Sequence, residues 1–357
     1  MMMKKIRYAL IGFGGIAENR IAKEGFACDT SRFSPLACAE LAGATDMNHA
    51  RKSAVEALKL QWFDSLDDIL ADKSIDGVFI ATNNASHAAV ATGCLKAGKH
   101  VIVEKPAATS VAEAGAMATL AAERGLSITV DHMMINNAWN VKAKECVAGG
   151  MLGKVNDSCF HMEFAYGYDP AEAASWRCSK VEEMGGPVGD VASHCFYVAE
   201  FIFGKRINKV AAVYYPKIMD IKSEDGAYIK FFFEDGTGGS IRAAFSELRG
   251  GPGGTFSNLG FELYGSKSVL RSFGSMFQYS GHKDEPYSIR LELDEGGRVT
   301  EIPPAPIINI YQALIIKHAE SIINASPLNA EDAVHNLQLC AACHESAQNG
   351  GKTVDIN

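Results

Sequence analysis

No stretch of this chain stays apolar for the roughly 20 residues that a membrane span requires, so none is expected. Basic residues do not dominate either. The 34 Lys+Arg stand against 42 Asp+Glu, a formal net charge of −8. That balance argues against nucleic acid or an anionic membrane surface as partner. Repeats and low-complexity segments are lacking. The nine cysteines build no framework: their number is odd and they are scattered through mostly apolar surroundings. This is the pattern of reduced thiols in a cytoplasmic protein. The one CxxC, Cys340 to Cys343, lies in an alanine-rich helical stretch without a second ligand pair, and reads as buried structural cysteine. The ten histidines are dispersed and no metal constellation emerges. The start, Met1 to Lys5 followed by Ile6 to Ile11, is superficially like a signal peptide. Arg7 interrupts it and a glycine turn follows where a cleavage site would be, so it reads as a first strand.

What is present is a chain of 357 residues, long enough for two domains, with 47% hydrophobic and 21% charged residues. The first strand runs into Gly12-Phe13-Gly14-Gly15-Ile16-Ala17 and then a helical segment. Strand, glycine turn and helix together give a dinucleotide fingerprint meaning. The glycines permit a tight turn and close backbone approach to a pyrophosphate, and the helix N-terminus favours its charge. Asp46 closes the second strand, where a carboxylate accepts from ribose hydroxyls and repels a 2′-phosphate. The gap to the glycines is longer than the usual ~20 residues, and Gly25 to Pro35 reads as a polar insertion. No arginine immediately follows Asp46; Arg51 comes later, on the next helix. NAD is therefore expected rather than NADP.

Strand and helix patterns then alternate as far as Val130. That rhythm predicts a doubly wound parallel sheet, with ligands at the strand C-termini. Thr82, Asn83, Asn84 and Lys105 fall at such ends, on the nicotinamide side. Lys105 stands between Glu104 and Pro106, so its backbone is extended and its position fixed. A cation there can hydrogen-bond a substrate hydroxyl and stabilise an alkoxide. After Gly150 to Gly153 the pattern changes to strands with short turns, which predicts an antiparallel sheet. Gly250 to Gly254 reads as a connector. Between the first two of these strands lies Gly185-Gly186-Pro187-Val188-Gly189-Asp190, running into a helix to Phe203. Asp190 and His194 share one face of that helix, a turn apart. They suit either an acid/base pair or a buried ion pair. His161, Glu163, Tyr166, Tyr168 and Trp176 are candidates for sugar contacts.

The glycine turn, Ala81-Thr82 to His87, Glu104-Lys105-Pro106 and Gly185-Gly186 to Asp190 to His194, in this order, resemble one family. It is the glucose–fructose oxidoreductase / inositol dehydrogenase / rhizopine catabolism (Gfo/Idh/MocA) family of NAD(P)-dependent oxidoreductases, matched over nearly the whole chain. The resemblance implies α/β architecture: an N-terminal Rossmann doubly wound parallel sheet, 1–132, and a C-terminal α+β domain with a large open, mostly antiparallel sheet, 133–357. It implies assembly as a homodimer or homotetramer through that sheet. It places catalysis on Lys105, Asp190 and His194. The cofactor set becomes Gly12, Phe13, Gly14, Gly15, Ile16, Asp46, Thr82, Asn83, Asn84, His87, Glu104 and Lys105. Substrate contacts fall to Lys105, His132, Tyr166, Trp176, Arg177, Asp190 and His194.

One departure is informative. Many relatives carry an aromatic residue and arginines after the strand ending at Val130; here the run is Asp131 to Asn137, without arginine. A neutral sugar, polyol or glycoside is the expected substrate. Asp131 or His132 either lines the pocket or forms a structural pair. Three other readings stay open: transient oxidation in a glycosidase, hydride exchange between two sugars with tightly held NAD(H), and a non-catalytic NAD-binding sensor.

Overall fold

The computed structural model describes residues 5–247, 258–277 and 288–356. The Gly250 to Gly254 loop and the Met1 to Lys4 start lie outside the described residues. The chain gathers into two compact units, each treated by itself below.

The first unit is built on six parallel strands: β1 (Ile6–Ile11), β2 (Ala39–Thr45), β3 (Gln61–Trp62), β4 (Gly77–Ile80), β5 (His100–Val103) and β6 (Ile128–Val130). Their order is β3-β2-β1-β4-β5-β6. β4 is buried along its whole length and β5 in all but its first residue, as expected for strands covered on both faces. The sheet grows outward in opposite directions from β1 and β4, so the topological switch point lies between their C-terminal ends. The insertion at Gly25 to Pro35 is pinned by Arg32, which pairs with the buried Glu24 at 3.4 Å.

Residues 308–334 also belong to this unit, so the compact units do not follow the continuous 133–357 division read from the sequence. The reason is a polar pair inside the core. Tyr8 on β1 is fully buried, and its hydroxyl meets Nδ1 of His318 at 2.7 Å. His318 lies on the helix Ile310–Ile323, whose Tyr311, Leu314 and Ile315 are also buried. Its Nε2 donates to the Ser127 carbonyl at 3.3 Å. Burial holds this imidazole neutral, pushing its pKa down to about 3.

The second unit carries nine strands: β7 (Val155–Glu163), β8 (Ile207–Tyr214), β9 (Gly226–Phe233), β10 (Gly238–Ala244), β11 (Phe261–Gly265), β12 (Val269–Phe273), β13 (Arg290–Asp294), β14 (Val299–Ile302) and β15 (Val354–Asp355). Their order is β14-β13-β12-β11-β7-β10-β9-β8-β15. Among the described residues of this sheet only β7 and β10 pair in parallel. On one face Phe160 packs against Phe231 and Phe261, with ring centroids 6.2 and 5.3 Å apart. Such pairs add about 0.5–1.5 kcal/mol beyond their area burial. Cys159 and His161 alternate to the other face. The outer strands β12 to β15 and the helix Ala138–Ala148 were not foreseen. The strands there are short, and strands and helix alike mix charged with apolar residues. Cys340 and Cys343 are buried in the helix Glu331–Gln348, and burial pushes the Cys343 thiol well up.

Candidate active site

In the first unit the site begins where β1 ends. Gly12 has φ +88, and a Cβ there would lie 2.6 Å from the Ala81 carbonyl oxygen and 2.9 Å from Thr82 N. Only glycine lets the two central strand ends come this close. Gly14 and Gly15 differ: both are exposed, and a Cβ on either would meet nothing within 4 Å. The turn is thus an open backbone cradle leading into the helix Ala17–Gly25, which fits a dinucleotide pyrophosphate. When bound, NAD(P) supplies the hydride acceptor or donor.

Asp46, half-buried at the end of β2, accepts from Phe13 N at 2.6 Å and from Asn48 N at 2.7 Å. It clips the glycine turn to the second strand, and the cap of the next helical turn is Asn48. Arg51 returns to the same turn. Its Nε donates to the Phe13 carbonyl at 2.7 Å, and its guanidinium pairs with Glu18. Linear spacing hid this proximity.

At the β4 end the Asn83 side chain accepts from Ser86 N at 3.2 Å, and Ser86 Oγ donates to Thr82 Oγ1 at 2.7 Å. Asn84 is buried. His87 is fully buried and spans the carbonyls of Pro106 (2.7 Å) and Thr82 (3.2 Å). Burial lowers its pKa, outweighing those contacts. His87 therefore ties the Lys105–Pro106 turn, whose peptide is cis, to the β4 end.

Lys105 is half-buried, and its backbone N–H donates to the Glu104 carboxylate at 3.1 Å. Asp131 arrives beside them because its N–H bonds the Val103 carbonyl at 2.8 Å. Its carboxyl is fully buried, and neither oxygen accepts from an N–H or O–H donor. Burial, and then the Glu104 carboxylate within hydrogen-bonding reach, raise its pKa well above the usual range; Lys105 opposes this. Two carboxyl groups so placed resist ionising together. His132 is 9% exposed, and its N–H bonds the Val130 carbonyl at 2.7 Å.

In the second unit, Gly186 has φ +83, and a Cβ there would strike the Glu224 carboxylate. That carboxylate accepts from Val188 N at 2.9 Å and so anchors the start of the helical segment. The segment opens with a wide π-type turn, Val188–Ala192, and continues as the α-helix Ser193–Phe203. Asp190 is buried, and its carboxylate accepts from Arg177 Nε at 3.1 Å. The Asp190 charge is the main reason that the Arg177 pKa is raised. Arg177 stacks on Trp176, 4.7 Å from its ring centroid, and lies 6.0 Å from that of Tyr166. His194 is buried, with Nδ1 at 2.5 Å from the Tyr197 hydroxyl. Tyr197, a turn further along, went unnoticed in the sequence because it reads as one more apolar helix residue. Tyr168 is exposed, with its hydroxyl on the Ser246 carbonyl at 3.1 Å. His161 and Glu163 bond each other on the nine-stranded sheet at 3.2 Å.

The model of the oxidoreductase family with an NAD-binding Rossmann fold, GFO_IDH_MocA, matches residues 6–132. The GFO/IDH/MocA C-terminal domain matches residues 140–271. The chain belongs to the GFO/IDH/MocA family. It is thus an NAD(P)-dependent oxidoreductase with a Rossmann first domain. This family member is 26% identical to 1,5-anhydro-D-fructose reductase of Ensifer adhaerens, over 80% of this chain and 81% of that protein. It is 26% identical to scyllo-inositol 2-dehydrogenase (NADP(+)) of Bacillus subtilis (strain 168), over 79% of this chain and 80% of that one. Its fold matches the aldose-aldose oxidoreductase from Caulobacter crescentus, solved with glycerol, at TM-score 0.83 and 22% identity. That match covers 99% of this chain and 100% of the other. Among the described residues no helix is long and apolar enough to cross a membrane.

Proposed function

We propose that this protein is an NAD-dependent dehydrogenase of a secondary alcohol in a neutral sugar, polyol or glycoside, with a pyranose oxidised at ring C3 as its preferred substrate. The placement of Lys105 carries the reading. It is a cation at the end of β5, next to the switch point, beside the carboxyl groups of Glu104 and Asp131. In this reading Lys105 hydrogen-bonds the substrate hydroxyl oxygen as it becomes an alkoxide, and His194 serves as the proton acceptor. The substrate C–H leaves as hydride to the nicotinamide, so alcohol and NAD become ketone, NADH and a proton. Asp190 holds Arg177 for substrate hydroxyls, and Tyr197 fixes the His194 ring. The named relatives act on an anhydro sugar and an inositol, which supports a neutral polyhydroxyl substrate. Nine free cysteines accord with a cytoplasmic site of action. Assembly through the nine-stranded sheet, as a homodimer or homotetramer, belongs to the same reading.

Arg51 favours a second reading for the cofactor. A guanidinium at the glycine turn can meet a 2′-phosphate, although Glu18 already pairs with it. The deciding measurement is NADH or NADPH formation across monosaccharides, inositols and glycosides, with each cofactor in turn. Replacement of Lys105 by Met, or of His194 by Ala, should cost on the order of 10²–10⁴ in turnover. Unchanged reduction by both variants overturns the catalytic assignment. Free sugar from a glycoside without net NADH means a glycosidase, and turnover only with two sugars together means hydride exchange.

A further inference from the structure

The open face of the nine-stranded sheet gathers three unlike metal-binding side chains that are far apart in sequence. Glu262 on β11 is the direct cross-strand partner of Cys159 on β7. His161 lies two residues along β7, on the same face. Their sulfur, nitrogen and oxygen atoms all lie within 4.8 Å of one another. The imidazole is oriented by a further group. Its Nδ1 meets the Glu163 carboxylate at 3.2 Å, and Glu163 is itself buried and held by the Tyr215 hydroxyl at 3.0 Å and by Arg242 at 3.2 Å. With a proton on Nδ1, the Nε2 lone pair points at Glu262, 2.8 Å away. A lone pair and a carboxylate cannot share that distance without a cation between them. A proton is one such cation at 2.8 Å; a metal ion is another once the two atoms move apart.

We propose that Cys159, His161 and Glu262 form a binding site for a divalent transition metal of the zinc type, with Glu163 orienting the imidazole and a fourth position left to water. Thiolate, imidazole and carboxylate together suit zinc. A carboxylate on the far ring nitrogen is the usual outer partner of a metal-bound histidine. Tetrahedral zinc needs ligand atoms about 3.5 Å apart, so the 2.8 Å pair of His161 and Glu262 has to open by about 0.7 Å while the widest separations in the cluster, at most 4.8 Å, close. Glu262 supplies that movement, because its side chain is 25% exposed while His161 is held on a rigid strand.

The test is titration of the metal-stripped full chain with cobalt(II) chloride. The expected result is one cobalt per chain, with a thiolate-to-metal band in the near ultraviolet and visible bands of tetrahedral cobalt. Cys159→Ser should abolish the ultraviolet band, and Cys28→Ser should leave it intact. Glu262→Gln and Glu163→Gln should weaken binding about 10–100-fold, with unchanged circular dichroism. Glu262 is half-exposed, so its variant keeps the test valid even if a buried replacement unfolds. No thiolate band in the wild type, or a band that survives in Cys159→Ser, overturns the proposal and leaves His161 as an imidazolium between carboxylates.

Discussion

Asp46 and Arg51 grip the same residue through its two backbone polar groups: the carboxylate accepts from Phe13 N, and the guanidinium donates to the Phe13 carbonyl. A carboxylate repels a 2′-phosphate and a guanidinium attracts it, so under the proposed function their balance sets the cofactor choice. With Asp46 dominant, the wild type should show a higher kcat/KM for NAD. Asp46→Ala should lower the NAD to NADP ratio at least about tenfold, since a charged hydrogen bond is worth about 1.5–3 kcal/mol. Arg51→Ala should reduce what NADP turnover exists and leave NAD within about threefold. Initial rates with both cofactors decide this; an unmoved ratio in Asp46→Ala removes Asp46 from cofactor selection.

Arg177 and Asp190 should act as one unit. Asp190→Asn leaves a guanidinium without its charge partner, and a loss of about 10²–10³ in kcat/KM for the sugar is expected. Arg177→Lys keeps the charge but loses the planar fork, so about a tenfold loss is expected, mainly in KM. Steady-state kinetics with the best substrate of the screen, alongside circular dichroism, separate these outcomes from misfolding.

Asp131 gives a prediction in pH. Its folded pKa is raised above the usual 3.8 by burial and by Glu104. The stability it supplies is full below that value and is lost as pH rises through the folded pKa. Asp131→Asn keeps the shape without the ionisation. Relative to the wild type, the variant should therefore gain stability as pH rises above about 4. Urea unfolding at several pH values measures the difference. A constant gap between the two proteins means that Asp131 does not titrate anomalously.

His318 predicts the opposite slope. Its folded pKa of about 3 lies below the ordinary 6.5 because the ring is buried. The unfolded chain takes up a proton first, so stability is full above 6.5 and falls as pH drops towards 3. The loss should be on the order of a few kcal/mol. His318→Phe removes this slope but breaks the bond to Tyr8, so it should start less stable at pH 7 and vary less with acidification. Parallel unfolding curves between pH 7 and 5 for both proteins refute the assignment.

Much of the first unit was legible from residues alone. Strands such as Gly77–Ile80 are apolar on both faces, and only a covered parallel sheet accommodates that pattern. Gly12 was legible as well, since a strand that ends in glycine before a helix leaves few alternatives. Lys105, Asp190 and His194 stood out by residue type and local spacing. Tertiary structure decided the partner of Asp190. Spacing along a helix put Asp190 near His194 and Tyr197 one turn beyond it, but the bond from Arg177 to Asp190 joins two separate elements. Buried side chains bond across elements whose approach no local pattern encodes. The same holds for Arg51 at the glycine turn, for Asp131 beside Glu104, and for the return of His318 to Tyr8. Local periodicity specifies which face of an element is buried, because burial follows backbone geometry. Which charged group meets which is set by long-range packing, where residues about 300 positions apart share one hydrogen bond.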